Sequence, residues 1–235
     1  MANPFKFKKF EIIQESNPQK VGTDSMLLGA WTKGKFNRIL DIGTGTGILA
    51  LMCAQKFTTA DITAIEPDLP SFEEANQNFK SSIFSERILG INAALQNFDT
   101  LEKFDLIICN PPYFDGSYLS EDLNRNRARH QSELKTDELY EHSSDLLTEN
   151  GKLNLVIPYA MLTEHLERAF DNELFLQNIL ISLSPDGTKK RAFISLGNNA
   201  IEPHEESIIV KDSSNQYSSK YIELTKEFYL KNLSV

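Results

Sequence analysis

The chain has 235 residues, 40% hydrophobic and 24% charged, with a formal net charge of −9. That length buries one sizeable core in one or two domains, and the composition is ordinary for a water-soluble globular protein. The acidic balance argues against a general nucleic-acid coat, although a local basic face suffices for a specific contact.

The opening Met1-Ala2-Asn3-Pro4-Phe5-Lys6 has no signal-like apolar core, and no later run is long enough to cross a bilayer. Phe5 to Ile13 alternates apolar and polar residues, the pattern of an amphipathic strand or a hairpin laid on a larger domain. In Lys20-Val21-Gly22-Thr23-Asp24-Ser25, Thr23 or Asp24 can cap the apolar helix that follows. Asp24 also suits the polar wall of a cofactor pocket.

Arg38 to Ile42 reads as a strand, Gly43-Thr44-Gly45-Thr46-Gly47 as a glycine turn, and Ile48 to Phe57 as a helix. Strand, glycine turn and helix open a nucleotide-binding α/β unit, with backbone close to the ligand and N–H groups at the helix start. Ile48 stands where a dinucleotide fingerprint wants Gly or Ala, which disfavours a nicotinamide or flavin oxidoreductase. Asp61 to Glu66 is a second strand. It ends in an acid that can accept both ribose hydroxyls or can simply sit as a charge before the next helix, Ser71 to Lys80. Ile88 to Ile91 is the third strand. Cys53 and Cys109 fall in an expected helix and an expected strand, as buried free thiols of a reducing cytoplasm. No Cys/His cluster has zinc spacing, so no metal is expected.

The fourth strand, Phe104 to Cys109, runs into Asn110-Pro111-Pro112-Tyr113. The two prolines fix φ, donate no hydrogen bond and keep the preceding residue out of the helical region. The result is a stiff corner with an amide, backbone carbonyls and an aromatic face. A planar group bearing an NH2 can stack on Tyr113 and donate both protons to carbonyl oxygens. The turn therefore reads either as a site for methylating such an amine or as a plain Pro-Pro strand ending.

Residues 114–136 are polar and aromatic without periodicity, as functional loops of this length tend to be. Arg125, Arg127, Arg129 and His130 there, and Lys189, Lys190 and Arg191 later, can grip an RNA strand or can be solvated surface charges. Asp137 to Leu147 reads as a helix closed by Asn150-Gly151, Lys152 to Ile157 as a strand, and Pro158 to Phe170 as a helix. Leu174 to Leu183 and Lys190 to Leu196 are strands, Ile208 to Val210 a further edge, and Tyr221 to Leu230 a terminal amphipathic helix. One domain spanning 1–235, with residues 1–32 as an N-terminal appendage to a core of 33–235, is the simplest division.

In element order and motifs the chain resembles the class I S-adenosylmethionine-dependent methyltransferases, and Asn110 to Tyr113 resembles the amino-methylating branch. Phe5-x-Phe7-x-x-Phe10, Lys20 to Asp24, Leu27 to Trp31, Leu40 to Gly47, Arg127-Ala128-Arg129-His130 and the closing Tyr221 to Leu230 look like the bacterial valine-tRNA (adenine-37, N6) methyltransferases, across essentially the whole chain. The resemblance implies a Rossmann-like, mostly parallel seven-stranded sheet with helices on both faces and a small N-terminal hairpin. It implies S-adenosyl-L-methionine as cofactor and tRNA as substrate, with no membrane and no obligate protein partner.

Carried over by position, Asp41 binds the cofactor's amino-acid end directly or through water. Gly43, Gly45 and Gly47 let it lie on the backbone, Glu66 holds the ribose, and Thr23 and Asp24 close the methionine side. Class I enzymes often place an adenine-reading acid where this chain has Ala94, which leaves that contact to backbone groups and to packing by Leu95. Asn110 and Pro111 accept the amine protons, Pro112 braces the corner and Tyr113 stacks on the base. The alternatives are the same chemistry on a protein glutamine or another RNA base, or a non-catalytic RNA-binding protein.

Overall fold

The computed structural model describes residues 4–15, 20–111 and 135–230. Its centre is the run of strands that the apolar segments predict. In chain order these are β3 (Arg38–Ile42), β4 (Asp61–Ile65), β5 (Ile88–Ile91), β6 (Phe104–Cys109), β7 (Leu147–Pro158), β8 (Phe175–Leu183), β9 (Lys189–Gly197) and β10 (His204–Ile209). They form one sheet in the order β10-β8-β9-β7-β6-β3-β4-β5. Pairing is parallel except around β9, which runs antiparallel to both β7 and β8. The central strands are buried on both faces, hence their nearly unbroken Ile/Leu content. The expected mostly parallel, Rossmann-like sheet is present. Its eighth strand is the edge at Ile208, which begins earlier than its apolar residues because pairing to β8 extends over polar positions.

Helices α1 (Thr23–Trp31), α2 (Ile48–Lys56), α3 (Leu69–Ser81) and α6 (Ser219–Thr225) share one apolar layer; α4 (Thr136–Leu146) and α5 (Leu162–Asp171) lie in the other. The N-terminal segment is a hairpin of β1 (Phe5–Lys6) and β2 (Glu11–Ile12). Phe7, Phe10 and Ile12 are buried in the same layer as α1 and α2.

Three local expectations are corrected. Neither Thr23 nor Asp24 caps α1: the helix begins at Thr23, its cap is Gly22, and no side chain bonds the cap. Asn150-Gly151 does not end a helix. The chain is already extended at Leu147, and Gly151 serves close strand packing, since a Cβ there would lie 2.8 Å from the Phe104 carbonyl oxygen. The terminal helix stops at Thr225 rather than Leu230, and the residues after it bond to other elements. Gln55 Nε2 donates to Glu227 O at 2.8 Å and Lys8 N to Phe228 O at 2.9 Å, drawing the tail onto the N-terminal hairpin.

Candidate active site

Strand order reverses between β3 and β6. From β3 the chain winds out through β4 and β5; from β6 it winds the other way. Ligands of open α/β sheets sit outside the carboxyl ends of strands at such a point. Here Ile42 lies beside Cys109, so the glycine loop after β3 and the Asn110-Pro111 corner after β6 leave the sheet side by side. Between them is a cleft of about 330 Å³, walled by Lys20 and Gly22 to Ser25, by Gly43 to Thr46, by Asn110 and Pro111, and by Arg191. A hollow of about 350 Å³ on the outer face of α5, around Leu166 and Phe170, is built from that single helix alone.

The loop's shape follows from two buried acids. Asp41 is fully buried, and its Oδ2 accepts from Thr44 Oγ1 and, at 3.0 Å, from Ala50 N, pinning the loop to the start of α2. Its Oδ1 has no partner among the described residues. Asp41 therefore lies beneath the cleft rather than on its wall. Glu66 is 8% exposed; Oε2 accepts from Gly45 N at 2.9 Å and Oε1 from Asp68 N at 3.0 Å. Gly43, Gly45 and Gly47 all have positive φ, at 65°, 57° and 84°. Gly43 lines the cleft, and a Cβ on it would meet nothing within 4 Å. Gly47 is required for packing, since its Cβ would sit 2.4 Å from the Phe79 ring.

Burial raises the Asp41 carboxyl from 3.8 to about 7, against the lowering effect of its hydrogen bonds from Thr44 and Ala50. Burial also raises Glu66. A raised carboxyl holds its proton in the folded chain at pH values where the unfolded chain has lost it. Asp41 therefore supports the fold at low pH, and that support drains away as pH climbs from about 4 to about 7, on the order of 4 kcal/mol in all. His165, whose imidazole burial lowers, contributes with the opposite sign. The difference between wild type and Asp41→Asn isolates the acid. Thermal melts of the two from pH 4.5 to 7.5 are expected to show wild type losing ground to the variant as pH rises; parallel curves would contradict this assignment.

Asn110 Nδ2 donates to Ser25 Oγ at 2.9 Å, joining the end of β6 to the first turn of α1. Asp24, two-thirds of the chain away from Arg191, accepts from its Nε at 2.8 Å. Arg191 is thus part of the cleft wall. Lys189 and Lys190 are exposed at the start of β9, with Lys189 bonded to the Tyr159 hydroxyl at 2.8 Å. Ala94 and Leu95 follow β5 and are outside the cleft wall; Leu95 is buried. Pro112, Tyr113, Arg125, Arg127, Arg129 and His130 lie outside the described residues.

Residue patterns did not single out Ser25, although it abuts the Lys-Val-Gly-Thr-Asp block. They gave no signal at all for Asn78, whose Nδ2 ties Ile13 O and Thr46 O together at 2.9 Å each. Among the described residues, no group of three His, Cys, Asp or Glu side chains can hold a metal, and no helix is long and apolar enough to cross a membrane.

The methyltransferase small domain family matches residues 20–178, from the Lys20 wall of the cleft through the glycine loop and the Asn110 corner into β8. This chain belongs to that family. The relatedness expected from the flanking motifs is also borne out. The chain is 37% identical over 232 residues to the tRNA1(Val) (adenine(37)-N6)-methyltransferase of Flavobacterium psychrophilum, covering 97% of this chain and 99% of the relative. It is 38% identical over 230 residues to the protein of the same name from Vibrio campbellii, covering 97% and 95%. The fold of this family member is likewise that of solved methyltransferases. A methyltransferase from Pyrococcus furiosus superimposes with a TM-score of 0.56 at 24% identity, over 80% of this chain and 90% of the other.

Proposed function

We propose that this methyltransferase uses S-adenosyl-L-methionine to methylate the exocyclic N6 amine of adenine-37, beside the anticodon of valine tRNA. The observation that carries the reading is the cleft itself. A glycine loop and an Asn-Pro corner, the two parts that amine methylation needs, face each other across about 330 Å³. The names of the full-length relatives support the substrate.

The residues fit the cofactor. Gly43 leaves open space where any side chain would project, and the start of α2 favours an anionic group such as the amino-acid carboxylate. When bound, S-adenosylmethionine supplies a methyl group on a positively charged sulfur. Asp41 acts from below by setting the loop, and Gly43, Gly45, Thr23 and Asp24 form the wall against the amino-acid end. Each oxygen of Glu66 accepts one N–H and keeps a second lone pair for a ribose hydroxyl. Ala94 and Leu95 border the adenine end.

The target adenine leaves its stack to enter the cleft and lies on Tyr113. Asn110 Oδ1 and the Pro111 carbonyl accept the two N6 protons, which turns the nitrogen lone pair toward the methyl donor. Methylation leaves the nitrogen positively charged and its protons strongly acidic, so one of them passes to solvent water and no strong base is needed. Cys109 next door is no candidate, because burial pushes its thiol well up. Pro112 keeps the corner stiff. Arg125, Arg127, Arg129, His130, Lys189 and Lys190 supply charge for the tRNA backbone, and Arg191 joins them at the cleft mouth. The whole chain works as one catalytic unit in the cytoplasm, the hairpin and α1 of its first 32 residues packed into the same core.

The test is incubation with methyl-labelled cofactor and unmodified total tRNA, then digestion and mapping. Label is expected in N6-methyladenosine at position 37 of valine tRNA. Label in a release-factor glutamine instead, or RNA binding without transfer, would overturn the reading.

A further inference from the structure

We propose that Ser25 is a positioning residue for methyl transfer, holding the Asn110 amide so that its oxygen faces the target amine. This rests on the reading of Asn110 as an acceptor for the N6 protons. The backbone of Asn110 is set by β6 on one side and Pro111 on the other, but neither controls the terminal torsion of the side chain. That torsion is broad and roughly two-fold, and a half-turn exchanges the oxygen for the NH2. An NH2 turned toward an amine sets donor against donor and offers nothing to the N6 protons. The productive orientation therefore needs a partner for Nδ2 on the side away from the substrate.

Ser25 provides it. Its Oγ accepts from Asn110 Nδ2 at 2.9 Å, across 85 residues of sequence. Ser25 itself is only 8% exposed, in the first turn of α1, where Met26, Leu27 and Leu28 are buried beside it. The acceptor is thus mounted on a helix locked into the core rather than on a loop. Both Ser25 and Asn110 line the cleft, so the contact is made at its wall. In this arrangement the Ser25 hydroxyl acts as the acceptor for the amide NH2. The residues just before it, Lys20 and Gly22 to Asp24, line the same cleft. One short segment therefore shapes the methyl donor's pocket and orients the methyl acceptor's contact.

The experiment compares wild type, Ser25→Ala, Ser25→Thr and Asn110→Ala by single-turnover methyl transfer to tRNA, calorimetric cofactor binding and thermal melts. Ser25→Ala is expected to slow transfer by about 10- to 100-fold, the scale of a misplaced reacting contact. Cofactor affinity and Tm are expected to stay within about twofold and about 2 °C of wild type. Ser25→Thr, which keeps the hydroxyl, is expected to recover most of the rate. Normal transfer in Ser25→Ala with transfer lost in Asn110→Ala would overturn the role of Ser25 alone. Normal transfer in Asn110→Ala would overturn the reading beneath it. A rate loss in Ser25→Ala that Thr does not restore, or one matched by lost cofactor affinity or Tm, would make Ser25 a structural residue and likewise overturn the proposal.

Discussion

Asn110→Ala is expected to cut the rate of methyl transfer by about 10²- to 10³-fold, the usual loss when one preorganised hydrogen-bonding group is removed from a reacting centre. Cofactor affinity is expected to remain near wild type. The loop that shapes the cofactor's side of the cleft is held by Asp41 and Glu66, and neither bonds to Asn110. The split follows from where the residues stand. Asn110 closes β6, whereas the pinned loop follows β3, and the two meet only across the cleft. Single-turnover transfer with labelled cofactor measures the first quantity and calorimetry the second. A variant with full transfer activity would leave Asn110 as the end of a strand and nothing more.

The second large effect is a contrast between two glycines of one loop. Gly47→Ala is expected to cost about 2 to 5 kcal/mol of stability. Part is the left-handed backbone at φ 84°, and part is a methyl group driven to 2.4 Å from the buried Phe79 ring. That is a large share of the ~5–15 kcal/mol that holds a typical domain together, and a fall in Tm on the order of 5 to 15 °C should report it. Gly43→Ala has the backbone strain at φ 65° but no clash, so its Tm is expected to fall much less. Its methyl group projects into the open cleft, so cofactor affinity is expected to drop by tenfold or more, about 1.4 kcal/mol. Melts and titrations of both variants check the pair. Equal losses of stability would contradict the packing role of Gly47, and unchanged affinity in Gly43→Ala would remove the cofactor from this part of the loop.

Much of this was legible in the residues. β3, β5 and β6 stand where the apolar runs place them, and the glycine turn opens a helix as its spacing requires. The two cysteines are buried and free. These features are local: β3 and β6, central and buried on both faces, are apolar along most of their length, and a loop with three left-handed positions favours glycine. The mistaken boundaries lie where distant partners outbid local preference. Lys8 and Gln55 hold the tail beyond Thr225 against the hairpin and α2, and close approach to Phe104 recruits Gly151 into a strand.

What the sequence alone determined is the α/β framework, the order of its parts and the kinship that its motifs carry. Only the tertiary structure decided that Asp41 lies under the loop rather than on the cleft wall, that Arg191 meets Asp24, and that Ser25 meets Asn110. These pairings join residues far apart in the chain. A hydrogen bond depends on separation and angle in space, and periodicity along a sequence carries neither until the sheet has set its register.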